Sequence, residues 1–435
     1  MDRKDNERLC QVGRDTEMGA LLRRYWIPAC LSSELPKPGG APRRVRLLND
    51  NLVAYRGADG KVGILDEYCL HRRASLVYAR NENSTLRCLF HGWSFAADGR
   101  IVEMPNVDGS RMQDRLRARA YPVEESHGLV WTYLGPLDQP IPPRPTFAWE
   151  SLPPKHSLVV PFELDCNWIQ SFEGLIDSAH INFLHADVVG RMERKSHETD
   201  LNALARNAAP RLELEFTDFG FQYAAIRENA GAAPDTAVAR ITAVAAPYLA
   251  FIPPGMQAFM VIPIDDTHCR FMNIWWSNTE RLDSGPGYDH RIKRWGVSDE
   301  ILRAAGMNTI MPGPDPMPPR NHVVQDRDAM ESGRSQNGIP SLSLEDALMS
   351  ISMGPIADRS EEHLVASDLA VVQFRRMLLD NAKLLAGGKD PIGIKTKTPI
   401  SKIRATAGEM PNKADWREIA VPEHVVTSRT RETAI

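Results

Sequence analysis

The sequence predicts an α+β protein with two domains, a smaller β-rich one first and a larger one of mixed helix and strand after it. Three observations lead there. At 435 residues the chain exceeds what one ordinary core fills. Between residues 62 and 102 short strand-like runs (62–65, 86–88, 95–102) are punctuated by turns, the last folding back through Asp98-Gly99. From Asp165 to His185 apolar residues recur at helical intervals behind an Asp or Asn cap, and residues 236–246 form a strand apolar on both faces.

Composition narrows the function classes. Apolar residues make up 43% and charged residues 25%, the balance of a folded globular protein rather than a disordered one. Lys and Arg (52) against Asp and Glu (56) leave a net charge of −4, so no basic field draws in nucleic acid. The start, MDRKDNERLC, carries no apolar run, which predicts neither signal peptide nor anchor and a cytoplasmic location. Residues 241–264 lack charge and are long enough to span a bilayer. Pro247, Pro253, Pro254 and Pro263 break any such helix, and Pro253-Pro254-Gly255 predicts a turn between two buried strands, so no membrane is expected.

Of the six cysteines, Cys10, Cys30, Cys166 and Cys269 stand singly and fit small buried side chains. Cys69-x-His71 and Cys88-x2-His91, separated by 16 residues, differ. Two thiolates and two imidazoles suit either one tetrahedral zinc or the two irons of a [2Fe-2S] cluster, and spacing alone does not separate these. Both pairs fall on loops between strands, and no helical His-x3-5-His pair follows as a zinc finger would supply.

These residues, with the following His91-Gly92-Trp93, resemble the Rieske iron-sulfur motif, which implies Cys69, His71, Cys88 and His91 as ligands of a [2Fe-2S] Rieske cluster. Leu70 stands where similar proteins have Pro, and Arg73 where they have Gly. Both lie in the loop over the cluster, where hydrogen bonding to sulfur tunes potential.

A Rieske cluster moves single electrons, so a site that receives them is expected downstream. Asp177 and His180, three apart, share a helix face, whereas His180 and His185 are five apart, roughly 140° out of phase. For both imidazoles to meet one metal, the helix must end or bulge between them. Asn167-Trp168-x-Gln170, Glu173-Gly174, Asp177, His180 and His185 together resemble the mononuclear iron motif of Rieske oxygenases, implying His180 and His185 as ligands of Fe(II), with Asp177 and Asn167 at the catalytic centre. Asp326, Asp328, Asp346 and Asp358 compete as third ligand. Asp346 is chosen because similar proteins carry an acidic pair shortly before Ser-Met-Gly-Pro-Ile, as Glu345-Asp346 precedes 352–356, and Asp358 is the runner-up. Asp177 can accept the distal N–H of His180. In similar enzymes this aspartate bridges to a Rieske histidine of a neighbouring subunit, which implies a homotrimer or a pair of stacked trimers.

The resemblance covers nearly the whole chain. Residues 12–19, 24–28 and 353–359 look like the phthalate dioxygenase branch. It implies an N-terminal helical arm over 1–25, an all-β Rieske domain over 26–150, and a helix-grip catalytic domain, an antiparallel sheet with a long helix, over 151–435. It also implies NADH-derived electrons from a separate reductase carrying FMN and a plant-type [2Fe-2S] cluster, and cis-dihydroxylation of a benzene carboxylate such as phthalate or isophthalate. Halobenzoate, phenoxybenzoate and O-demethylating relatives lie close by, and a Rieske electron carrier or a zinc-stabilised binding protein are the non-enzymatic alternatives. A substrate carboxylate in an apolar pocket needs an arginine. Arg240, in the apolar strand, and Arg206, after the metal helix, are the candidates, and two such arginines would favour a dicarboxylate. Pro312 to Pro319 punctuate a long irregular connection that fits a cover over the active site or a subunit interface, and Ser367-Asp368 caps a packing helix ended by Gly387-Gly388.

Overall fold

The computed structural model describes residues 1–107, 112–187, 207–253, 255–307 and 321–419. Arg206 and the proline-rich segment therefore lie outside the described residues. Two short helices open the chain, α1 (Arg3–Cys10) and α2 (Glu17–Leu22). They are capped by Asp2 and Thr16, whose side chains accept from Asp5 N and Gly19 N.

Small antiparallel sheets follow. β1 (Trp26–Leu31) pairs with β11 (Leu129–Tyr133), which also pairs with β10 (Val123–Ser126). β2 (Arg43–Leu47), β3 (Asp50–Arg56), β4 (Val62–Asp66) and β9 (Ala120–Tyr121) form a second sheet in that order. β5 (Arg80–Glu82), β6 (Thr85–Arg87), β7 (Ser94–Ala96) and β8 (Ile101–Glu103) form a third, with the short helix α3 (Met112–Arg115) beyond it. The Asp98-Gly99 hairpin is as predicted. Gly99 has φ +83°, and a Cβ there would lie 2.0 Å from Ala118 O, so no other residue fits.

The larger domain is built on one antiparallel sheet, in the order β12 (Ser157–Leu164), β18 (Cys269–Trp276), β17 (Gln257–Pro263), β16 (Leu249–Phe251), β15 (Thr236–Ala245), β14 (Gly220–Arg227) and β13 (Arg211–Phe216). β19 (Thr406–Pro411) pairs with β15, so the segment after Lys389 adds a strand to the sheet; residues 420–435 lie outside the described chain. Helix α4 (Trp168–Ile176) lies against β17 and β18. Beyond the short helix α5 (Ile181–Leu184) come α6 (Pro286–Trp295), α7 (Asp299–Ala304), α8 (Arg327–Glu331), α9 (Leu342–Ser352) and α10 (Leu369–Ala386). The N-terminal arm packs on α10 of the larger domain and is also tied to the smaller one, where Arg14 and Arg23 both pair with Asp50.

Two local expectations change. Residues 241–264 hold parts of three strands, β15 to β17, because the chain turns at Ala246-Pro247 as well as near Pro253. Among the described residues no helix is long and apolar enough to cross a membrane. The single helix expected over 165–185 is two, and the break falls before His180 rather than after it. Asp177 takes an extended ψ of 117°, and its Oδ1 accepts from Ala179 N at 2.7 Å in place of a helical bond. Strand β14 supplies partners for the freed carbonyls: Tyr223 Oη donates to Ile176 O and Arg227 Nη2 to Ser178 O, both at 2.7 Å. The other side of α4 is fixed by Glu173, which accepts from buried Arg359 and Arg375.

Candidate metal centres

In the smaller domain Cys69 and His71 sit on the loop after β4, and Cys88 and His91 between β6 and β7. The loops are built alike. Arg73 N donates to Cys69 O and Gly92 N to Cys88 O, both at 3.0 Å, and each donor has positive φ, +60° and +75°. Arg73 thus takes the left-handed conformation that glycine takes in the second loop, at a cost of about 1–2 kcal/mol. Its guanidinium lies 4.8 Å over the Tyr68 ring, which offsets about 0.5–1 kcal/mol.

Both sulfurs are buried and unbridged, and burial pushes the Cys69 thiol up to about 11. The rings of His71 and His91 meet at 4.4 Å, and His71 stacks on Trp93 at 4.9 Å and 7°. Trp93 is held in turn by Asn106, which accepts its indole N–H at 2.7 Å. His71 Nδ1 is buried with no hydrogen-bond partner, costly for a ring nitrogen unless a metal takes it. A single zinc draws its ligand atoms to roughly 3.3–3.8 Å of one another, from tetrahedral bonds of about 2.0–2.3 Å. Among the described residues only His180, His185 and Asp346 bring three such atoms within 4.8 Å, so the Cys/His set is too wide for one zinc and fits a two-iron cluster.

The second centre is assembled from α5 and α9. His180 and His185 flank α5, with their Nε2 atoms 3.1 Å apart. Asp346 Oδ1 lies 3.5 Å from the first and 3.2 Å from the second. Two imidazoles and one carboxylate on one side of a point are the donor set that suits Fe(II) with open positions.

Each imidazole has a carboxylate behind it. His180 Nδ1 faces Asp177 Oδ2 at 3.5 Å, and His185 Nδ1 faces Glu345 Oε2 at 2.6 Å. Glu345 is 1% exposed; its other oxygen accepts from Asn337 Nδ2 at 2.8 Å, and that amide also donates to Leu184 O. Burial alone would lower the proton affinity of His185, but Asp346 and Glu345 outweigh it and lift the ring to about 10, so a metal has to displace a proton there. Burial would raise Asp177, yet His180 and the Ala179 N–H hold it below the ordinary carboxylate range.

The other expected residues are elsewhere. Asp358 accepts from Ser360 and pairs with Arg3 at a half-exposed surface, Asp326 caps α8, and Asp328 lies in that helix's first turn. Asn167, expected at the catalytic centre, is the N-cap of α4. Fully buried, it accepts from Ile169 N and donates to Cys10 O and Asp266 O, and it does not line the cavity. Its polar atoms are spent tying the arm and the β17–β18 turn to α4.

A cavity of about 120 Å³ reaches Asp177, His180, His185 and Asp346. Phe162, Phe259, Phe271 and Trp295 supply much of its wall, and Arg240 from β15 and Arg294 from α6 its cations. Arg240 is 6% exposed and donates from Nη2 to Pro253 O at 2.7 Å.

Fold and sites together define a protein that couples a Rieske cluster to a mononuclear iron on an antiparallel sheet. Comparison with known proteins agrees: residues 25–122 match the Rieske [2Fe-2S] domain and residues 132–433 the LigXa C-terminal domain like family. The chain is 39% identical over 424 residues to the phthalate 4,5-dioxygenase oxygenase subunit of Pseudomonas putida, covering 95% of this chain and 94% of that one. It is 30% identical over 406 residues to the 5,5'-dehydrodivanillate O-demethylase oxygenase subunit of Sphingobium sp. (strain NBRC 103272 / SYK-6), covering 92% and 84%. Dicamba monooxygenase shares the fold, with a TM-score of 0.57 at 21% identity over 84% of this chain and 99% of that one. The chain belongs to the Rieske non-haem iron aromatic ring-hydroxylating oxygenases. Oxygenases of this family take electrons from separate protein components and oligomerise.

Sequence reasoning missed Glu345, Asn337 and Arg294. The Glu345-Asp346 pair held a signal, since adjacent helical residues point about 100° apart and one carboxylate can face a metal while the other reaches behind a ligand. Glu345→Gln removes the charge behind His185 and leaves one oxygen where His185 Nδ1 and Asn337 Nδ2 now have one each. We expect mononuclear iron affinity, measured by chelator competition, to fall about tenfold with the Rieske absorption unchanged.

Proposed function

We propose that this chain is the terminal oxygenase of a system that uses O2 and NADH-derived electrons to cis-dihydroxylate a benzene carboxylate, phthalate or isophthalate being the first candidates. The observation that carries this reading is Arg240, a buried guanidinium in the wall of a largely aromatic cavity that reaches His180, His185 and Asp346. An aromatic ring packs against Phe162, Phe259 and Phe271, and its carboxylate meets the Arg240 cation. His180, His185 and Asp346 would hold Fe(II), and Cys69, His71, Cys88 and His91 the cluster. Iron supplies O2 activation, and the cluster supplies electrons singly. Asp177 and Glu345 keep the two imidazoles turned with Nε2 toward the metal. The reductase carrying FMN and a plant-type cluster, the trimeric or stacked-trimer assembly and the cytoplasmic location belong to the same proposal.

The test is incubation of iron-loaded protein, reductase, NADH and O2 with phthalate, isophthalate, a halobenzoate, phenoxybenzoate and a methoxybenzoate. A product heavier by two oxygens and two hydrogens supports dioxygenation. Formaldehyde with a phenol would move the chain to the O-demethylases, the second reading, which the 30% identical relative favours. NADH use without product overturns both. Arg240→Ala should lower kcat/KM for the accepted acid about 10- to 50-fold, the worth of a charge-assisted hydrogen bond, while a neutral ring analogue changes little.

A further inference from the structure

Arginine donors are only half of the polar chemistry in this cavity. On the sheet face that lines it, β17 contributes Gln257 and β18 contributes Asn273. Each amide gives an N–H to a backbone carbonyl: Gln257 Nε2 donates to Ile252 O at 3.0 Å and Asn273 Nδ2 to Val160 O at 3.2 Å. Asn273 is 0% exposed, and its Oδ1 has no hydrogen-bond partner. Turning the amide over does not help, because Oδ1 would then face the Val160 carbonyl, acceptor against acceptor. A buried amide oxygen left unpaired costs about 1–3 kcal/mol, so a cavity wall that keeps one is prepared for a donor.

We propose that the substrate is an aromatic carboxylate that also carries a hydrogen-bond donor, a hydroxyl or amino group, received by Asn273 Oδ1. This rests on the aromatic-acid reading above and narrows it. Arg240 and Arg294 can serve only acceptors, whereas Asn273 Oδ1 can serve only donors. A second carboxylate placed against Asn273 Oδ1 would set oxygen against oxygen, whereas a phenolic O–H or an aniline N–H pairs that oxygen. Asn273 is a specificity-determining residue on this account, with no part in holding iron.

The test is isothermal titration of the anaerobic full-length holoprotein with benzoate, phthalate, and the three isomers each of hydroxybenzoate and fluorobenzoate. Fluorine nearly matches the hydroxyl in size and cannot donate. At least one hydroxybenzoate should bind about tenfold more tightly than its fluoro counterpart, and in Asn273→Leu that ratio should fall to near one. Equal affinity of every hydroxy/fluoro pair in the wild-type protein overturns the inference while leaving the aromatic-acid reading standing. A ratio that persists in Asn273→Leu also overturns it, because the hydroxyl then meets another acceptor. Should no benzoate bind at all, phthalate included, the aromatic-acid reading falls and the inference with it. The wild-type ratios decide the matter even if the leucine variant folds poorly.

Discussion

Asp346→Ala is expected to empty the mononuclear site and reduce turnover on the order of a thousandfold or more, while the Rieske absorption stays that of the wild type. The carboxylate is one of three donors, and its Oδ1 lies within 3.5 Å of both imidazole Nε2 atoms. Without it two neutral imidazoles remain, with no anion to balance the charge of Fe(II). The companion variant Asp358→Ala should keep iron and activity, since Asp358 binds Ser360 and Arg3 at the surface. Iron and acid-labile sulfide analysis of both proteins, with turnover, measures the difference. Retained iron in Asp346→Ala would remove this residue from the site. The cluster is insulated from the change because its ligands lie on loops of a separate β domain.

How much of this was legible in the sequence depends on whether the signal was local. The two Cys/His pairs and the hairpin after them are local, and turn chemistry at Asp98-Gly99 fixes the strands around them. Arg73 was legible as a departure from a glycine pattern; that it adopts the glycine conformation anyway, with its charge resting on Tyr68, needed coordinates. The helix break was half legible. The five-residue spacing of His180 and His185 demanded an interruption, but its position is set by Tyr223 and Arg227 on a strand some 45 residues away, beyond any local pattern. Asn167 was read from its motif, and its bonds to Cys10 O and Asp266 O, far away in sequence, lie beyond any local pattern. Arg294 sits among other cations on α6, and nothing in that local pattern separates a cavity-lining arginine from its neighbours.

Asp177→Asn should separate metal binding from electron delivery. The aspartate does two things at once: Oδ1 accepts from Ala179 N and shapes the helix break, and Oδ2 faces His180 Nδ1. Asparagine can keep the first bond through its carbonyl oxygen, so the break should survive. It replaces the second oxygen with an N–H donor that opposes the imidazole N–H. His180 then loses the acceptor that fixes its tautomer, and the local negative charge is gone. We expect both metals to be retained, with transfer of an electron from the reduced cluster to the mononuclear site slowed about 100-fold. A purely structural role predicts something else, namely lost iron with normal transfer in the fraction that keeps it. Stopped-flow oxidation of pre-reduced protein, normalised to mononuclear iron content, distinguishes the two. Transfer at the wild-type rate in iron-replete Asp177→Asn would leave Asp177 as a helix-break residue alone. Asp177→Glu sharpens the comparison, since it restores the charge but displaces the carboxylate. Partial recovery there would assign the effect to the charge, and no recovery to the position of the oxygen behind His180.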